Sequence, residues 1–215
     1  MKKLFDGFIF DIDGTLTSTN QLIFNSFNFI AKKYLGRTFT DEEIISLFGP
    51  TEDVILKEWC GDRYEEARKD YYGYYSDHHG IAGLYVGIKE ILHHLKSKVY
   101  PIGIFTGKGR DASMITLQKL GIDHYFDLIV TGDDVINHKP SAEGILKFVN
   151  HFKLNPERVL MIGDSVSDVK ASREAGIKIA SVLWDSYGEE KVKSLGSDYY
   201  FYSVEELKEF LLGTS

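Results

Sequence analysis

A chain of 215 residues, 43% hydrophobic and 27% charged, is long enough for one good-sized core, or for a core with a small accessory domain. No apolar run approaches the ~20 residues that span a bilayer, and the start Met1-Lys2-Lys3-Leu4-Phe5-Asp6 meets an acidic residue before any long apolar stretch, unlike a signal peptide. A formal net charge of −7 argues against a nucleic-acid polymer as partner. The one cysteine, Cys60, allows no intrachain disulfide, which fits a reducing, cytoplasmic setting.

In chain order, Phe8-Ile9-Phe10 reads as a short buried strand. From about Thr17 to Ala82 the signals are helical only. Ile23, Phe27, Ile30 and Tyr34 recur at spacings of four, three and four, a helical face that Gly36 ends. Ser18 is expected to cap that helix. Thr40 with Glu43 forms a capping box ahead of Ile44, Ile45 and Leu47. Two more helical stretches follow, Val54 to Trp59 and Tyr64 to His79.

From about residue 84, strands and helices alternate. The strands are Ile102 to Phe105, Leu128 to Val130, Val159 to Ile162 and Ile179 to Val182. The helices are Val86 to Leu95, Asp111 to Leu120, Ser141 to Phe152, Val166 to Ala175 and, after a Ser203/Glu206 capping box, Val204 to Leu212. Consecutive apolar residues suit parallel strands buried on both faces. The alternation predicts an α/β fold with a Rossmann-like, doubly wound parallel sheet. Residues 1–16 and 83–215 are assigned to this core and residues 17–82 to an inserted helical cap, with hinges near Leu16–Thr19 and Gly80–Tyr85.

Polar residues end these strands: Asp11-Ile12-Asp13-Gly14-Thr15 after the first, Thr106-Gly107-Lys108 after the second, and Gly163-Asp164-Ser165-Val166-Ser167-Asp168 after the fourth. Lys139-Pro140 lies a short loop beyond the third. In open α/β sheets ligands bind at the carboxyl ends of strands. Four carboxylates, Asp11, Asp13, Asp164 and Asp168, brought together would repel unless a cation joined them. Mg²⁺ is the hard, oxygen-seeking ion that takes one or two carboxylates and a substrate phosphate. Lys139 and the Thr106 hydroxyl are candidates to hold phosphate oxygens, with the N–H groups of Gly14 and Gly107 approaching closely. On this reading Asp11 is a nucleophile that forms an aspartyl-phosphate, and Asp13 protonates the leaving alkoxide and then deprotonates water.

This constellation resembles the haloacid dehalogenase superfamily in its phosphatase branch. DIDGTLT at 11–17, FTGK at 105–108, HKP at 138–140 and GDSVSD at 163–168 look like its four motifs in order, and the helical insertion looks like its first cap type, as in phosphoglycolate phosphatases and their relatives. The resemblance implies that Asp11 and Asp164 ligate Mg²⁺ by side chain and Asp13 by its backbone carbonyl. Asp168 would complete the shell directly or through water. It also implies small phosphorylated metabolites as substrates, the cap loop Phe48-Gly49-Pro50-Thr51-Glu52 helping to choose among them; phosphoglycolate, pyrophosphate, a sugar phosphate and a nucleotide all stay open.

Two departures stand out: Ser18 replaces a frequent aspartate, and Gly107 a frequent asparagine. A phosphomutase is disfavoured because residues 17–29 contain no histidine, and a dehalogenase because Asp13 and a magnesium site are both present. A non-catalytic protein that binds a phosphorylated ligand is the alternative from another class. Lys108 reads equally as a substrate contact or a surface lysine. Thr15 and Ser165 either orient carboxylates or satisfy turns. The pairs His78-His79 and His93-His94 read as surface or helix-end residues, the tyrosines at 71–75 as cap packing, and Cys60 as an inert thiol.

Overall fold

The computed structural model describes residues 4–214. Its elements, in order, are β1 (Gly7–Phe10), β2 (Thr17–Ser18), α1 (Asn20–Ile30), α2 (Asp41–Ile45), α3 (Glu52–Cys60), α4 (Tyr64–Asp77), β3 (Gly83–Leu84), α5 (Ile88–Ser97), β4 (Ile102–Phe105) and α6 (Arg110–Lys119). Then come β5 (Leu128–Val130), α7 (Glu143–Phe152), β6 (Val159–Gly163), α8 (Val166–Ala175), β7 (Lys178–Val182), α9 (Glu189–Leu195), β8 (Tyr199–Phe201) and α10 (Val204–Thr214).

Six strands form one parallel sheet in the order β5-β4-β1-β6-β7-β8. Side chains alternate across it, as the two-residue strand period requires. Phe8, Phe10, Ile102, Ile104, Leu160 and Ile162 enter one core cluster, with Ile91 and Leu95 of α5 and Leu207 and Leu211 of α10. Ile9, Val159, Met161 and Ile179 enter the other, with Ile145 and Phe148 of α7 and Val169 of α8. Both faces are therefore covered, which is why these strands read as unbroken apolar runs.

The chain builds β4 and β5 on one side of β1 and then crosses to β6 on the other. That reversal opens a crevice at the strands' carboxyl ends. The helical block α1–α4 has its own apolar cluster, including Leu22, Phe27, Ile30, Ile44, Leu56, Tyr71 and Tyr75. It also buries Ala112 of α6, so the block packs on that helix. Both crossings of the chain meet in a two-stranded antiparallel ribbon, Thr17 opposite Leu84 and Ser18 opposite Gly83. Among the described residues, no helix is long and apolar enough to cross a membrane.

Several expectations change. Ser18 does not cap α1: the helix starts after Thr19 with no side-chain cap, and the Ser18 hydroxyl donates to the Gly83 carbonyl across the ribbon. The first cap helix ends in a π-type turn, Ala31–Leu35, before Gly36 at φ 69°. The first helix after the block starts at Ile88, past Gly87 at φ 97°, and leaves Val86 exposed. The Thr40/Glu43 box forms as expected.

Candidate active site

Asp11 is the first residue past β1. Its N–H donates to the Ile162 carbonyl (2.9 Å), so the sheet ladder itself sets where the side chain starts. Asp11 Oδ1 accepts from the Ile12 N–H (2.8 Å) and lies 3.2 Å from Lys139 Nζ. Lys139 Nζ is 2.6 Å from Asp168 Oδ1, and its side chain is 4% exposed. Burial alone would lower the Lys139 pKa, but Asp11 and Asp168 beside it raise it. The ammonium therefore stays charged and bridges β1 to the first turn of α8.

Asp11, Asp164 and Asp168 each offer a carboxylate oxygen, all within 4.8 Å of one another. Burial pushes Asp11 up to about 6, with Lys139 opposing and Asp168 and Asp13 adding to it. Asp164 is raised well above the carboxylate range, by burial first and then by Asp168 and Asp11. Lys139 is one positive charge against several buried negative ones. A hard oxygen-only donor set with this excess of negative charge fits a divalent cation of the Mg²⁺ type.

The eight expected site residues all reach this crevice or its immediate support, but not all as anticipated. Thr106, past β4, accepts the Lys108 N–H on its hydroxyl oxygen (3.3 Å) and lines the cavity with Gly107. A Cβ at Gly107 would meet nothing within 4 Å, so the glycine is not needed there for room.

Gly14 departs from expectation. Its N–H donates to the Thr17 carbonyl (3.0 Å) and is not turned to a ligand. It sits at φ +73°, and a Cβ there would lie 2.6 Å from Asp164 Oδ2. Gly14 thus makes room for an acidic side chain instead of donating to phosphate.

Asp168 is wholly buried. Its Oδ2 accepts from the Ser165 N–H (3.0 Å) and hydroxyl (2.6 Å), and its Oδ1 holds Lys139. The Ser165 N–H bond and its reciprocal, the Asp168 N–H donating to the Ser165 hydroxyl (3.3 Å), form the capping box that starts α8. Ser165 and Thr15, whose hydroxyl is 3.4 Å from Asp164 Oδ1, orient carboxylates and do more than complete turns.

Asp13 is held from both sides. Oδ1 accepts from the Thr19 hydroxyl, and Oδ2 lies 3.3 Å from Lys108 Nζ. Lys108 is no surface lysine: its side chain is 2% exposed, 3.5 Å from Glu52 Oε1 and over the Tyr75 ring. Glu52, the first residue of α3, also accepts the Gly109 N–H on Oε2 (2.7 Å). His79 is likewise buried, against Thr116 (3.2 Å) and Tyr75. Cys60 is buried, its thiol pKa raised by that burial.

A cavity of 470 Å³ opens over these groups. Its floor is Asp11, Asp13, Thr106, Lys139 and Asp164, and its roof is Ile23, Phe27, Ile45, Phe48, Pro50 and Ile55 of the helical block.

A carboxylate beside a buried ammonium at a parallel-sheet switch point, under a helical roof, has the charge and the placement that phosphoryl transfer in an α/β hydrolase requires. The comparisons agree. Residues 8–182 match the haloacid dehalogenase-like hydrolase family, and the chain belongs to that family, in its phosphatase branch. It is similar to the pyrophosphatase PpaX of Bacillus cereus, 32% identical over 200 residues, covering 93% of each chain. The pyrophosphatase PpaX of Halalkalibacterium halodurans is also 32% identical over 200 residues, again 93% of each. A crystal structure described as a predicted phosphoglycolate phosphatase from Haemophilus somnus superposes with a TM-score of 0.86 at 22% identity, over 98% of this chain and 99% of that one; it bears on the fold alone.

Proposed function

We propose that this enzyme is a magnesium-dependent phosphatase that hydrolyses small phosphorylated metabolites, phosphate monoesters or phosphoanhydrides, through an aspartyl-phosphate on Asp11, with residues 17–82 acting as the cap. The observation that carries the reading is Asp11 at the cavity floor, 3.2 Å from Lys139 Nζ and clustered with Asp164 and Asp168. The similarity to two pyrophosphatases at 32% identity makes pyrophosphate the first phosphoanhydride to test.

Asp11 Oδ1 is fixed by Ile12 and Lys139, which orients Oδ2 towards phosphorus. Attack forms an Asp11 O–P bond as the bond from phosphorus to the leaving oxygen breaks, and Asp13 gives that oxygen a proton. Water then attacks phosphorus, Asp13 takes its proton, and the Asp11 O–P bond breaks to release phosphate. Lys139 and Thr106 hold the non-bridging oxygens, where fixed charge is worth most. Asp11 and Asp164 by side chain, with the Asp13 carbonyl, would hold Mg²⁺, which when bound supplies charge against the phosphoryl oxygens. Asp168, with both oxygens occupied by Ser165 and Lys139, serves better as the anchor of Lys139 than as a direct ligand. The helical roof excludes bulk water.

The test is phosphate release from para-nitrophenyl phosphate, pyrophosphate and a panel of metabolite phosphates, with and without Mg²⁺. Release is expected only with the ion. An Asp11→Asn variant should lose turnover by at least about 10³-fold, as removal of a covalent nucleophile does. Wild-type turnover in that variant would rule out the proposed nucleophile.

A further inference from the structure

Two buried charges take no part in the steps above. Glu52 and Lys108 have side chains 7% and 2% exposed, and they face each other across the boundary between helical block and sheet body. Lys108 follows β4, whereas Glu52 begins α3. Burying either charge alone is costly; burying both is tolerable only as a hydrogen-bonded pair. Glu52 is raised by burial with Lys108 opposing, and Lys108, which burial would lower, is raised by Asp13 and then by Tyr75 and Glu52.

The sheet body is shaped to receive this carboxylate. A Cβ at Gly109 would stand 2.7 Å from Glu52 Oε2, and one at Gly132 would stand 2.4 Å from Thr51 Cγ2. Gly109 has φ −66°, which any residue adopts, so its backbone does not need glycine. What it provides is space, together with an N–H that donates to Glu52 at 2.7 Å. Two missing side chains on the body thus form a socket for Thr51 and Glu52 of the block.

The same ammonium that meets Glu52 lies 3.3 Å from Asp13 Oδ2. We infer that Glu52 and Lys108 form a latch through which docking of the cap sets the orientation of the Asp13 carboxylate. Glu52 positions Lys108, and Lys108 together with Thr19 pins Asp13. With the latch apart, Lys108 has one anchor fewer and Asp13 is held firmly only from the Thr19 side. Proton delivery to the leaving group by Asp13 is then assembled by closure, through two residues, Glu52 and Lys108, at the cavity wall. The inference rests on the proposed phosphatase reading, with Asp13 as the proton donor.

The leaving group distinguishes this from a merely structural role. A para-nitrophenolate departs without a proton, whereas an alkoxide needs one. The ratio kcat/KM covers steps only up to leaving-group departure, so it reports the donor role of Asp13 and not its later work on water. Glu52→Gln, Lys108→Met and Gly109→Ala are each measured on para-nitrophenyl phosphate and on the best alkyl phosphate of the panel. We expect kcat/KM to fall about 10-fold or more further on the alkyl ester than on the aryl ester. We also expect the Glu52→Gln/Lys108→Met double variant to lose no more than the worse single one, because the two act as a unit.

Equal fractional losses on both esters, or multiplicative losses in the double variant, would overturn the latch while leaving the phosphatase intact. A wild-type enzyme that releases phosphate from nothing removes the underlying reading instead. Should Lys108→Met not fold, Glu52→Gln, which keeps the side chain's shape and its acceptor for Gly109, gives the same comparison.

Discussion

Asp168 Oδ1 lies 2.6 Å from Lys139 Nζ, and the same ammonium is 3.2 Å from Asp11 Oδ1. The lysine therefore takes its position from a residue that does not face the cavity. Asp168 is itself locked by the Ser165 N–H and hydroxyl at the start of α8. An Asp168→Asn change keeps the shape but weakens the grip on the ammonium and gives the Ser165 N–H and hydroxyl a poorer group to donate to. Loss of such a supporting hydrogen bond to a functional group commonly costs 10–100-fold in activity. We expect kcat to fall by about that factor with secondary structure intact by circular dichroism; an unchanged kcat would show that Lys139 is held well enough by Asp11 alone.

Chelation provides a second check. Asp11 and Asp164 are raised by burial and by neighbouring carboxylates. A divalent ion bound there stabilises the folded chain over the unfolded one, by ~2.7 kcal/mol at a free concentration a hundred times its Kd. Adding Mg²⁺ to metal-stripped enzyme should raise Tm by several degrees, and an Asp164→Ala variant should lose that response. An equal rise in wild type and variant would place the ion elsewhere.

Much of this arrangement is legible in the chain. Asp11, Thr106 and Asp164 stand where apolar runs stop, and the parallel sheet makes those runs visible because both faces are buried. What escapes the sequence has no such periodic signal. β8 is three residues, Tyr199–Phe201, at the sheet edge and only partly buried. In α9 the one buried residue is Val192, too little for a helical face. The ribbon of β2 and β3 is two residues long on each side. Lys108 is hidden for another reason: its partner Glu52 is remote in sequence, and a lysine in a loop reads as solvated until something buries it. Gly14 is the converse case: the sequence suggests a donor to phosphate, and the structure has its N–H bonded to the Thr17 carbonyl instead.

Gly14 invites its own measurement. At φ +73°, and with Asp164 Oδ2 2.6 Å from a would-be Cβ, Gly14→Ala combines backbone strain with a clash against a functional carboxylate. The strain alone is worth about 1–3 kcal/mol. Denaturant unfolding should show a loss of at least about 1 kcal/mol, together with weakened Mg²⁺ activation as Asp164 is displaced. Alanine tolerated at full stability and full metal response would mean that the turn relaxes more easily than its geometry implies.

His79 supplies a pH dependence away from the reacting groups. It is buried against Thr116 and Tyr75, and its pKa is lowered first by burial and then by Lys108 and Lys119. In the unfolded chain the imidazole titrates near ~6.5. Above that pH both states are neutral and the residue adds no slope. As pH falls through ~6.5 the unfolded chain takes up a proton that the folded chain resists, so stability declines, with a limiting slope of about 1.4 kcal/mol per pH unit for one proton. A His79→Gln variant, which can keep a hydrogen bond to Thr116 but cannot titrate, should show a shallower fall in unfolding free energy between pH 7.5 and 5.5. Urea titrations across that range compare the two chains directly, and parallel slopes would mean that other groups carry the acid sensitivity.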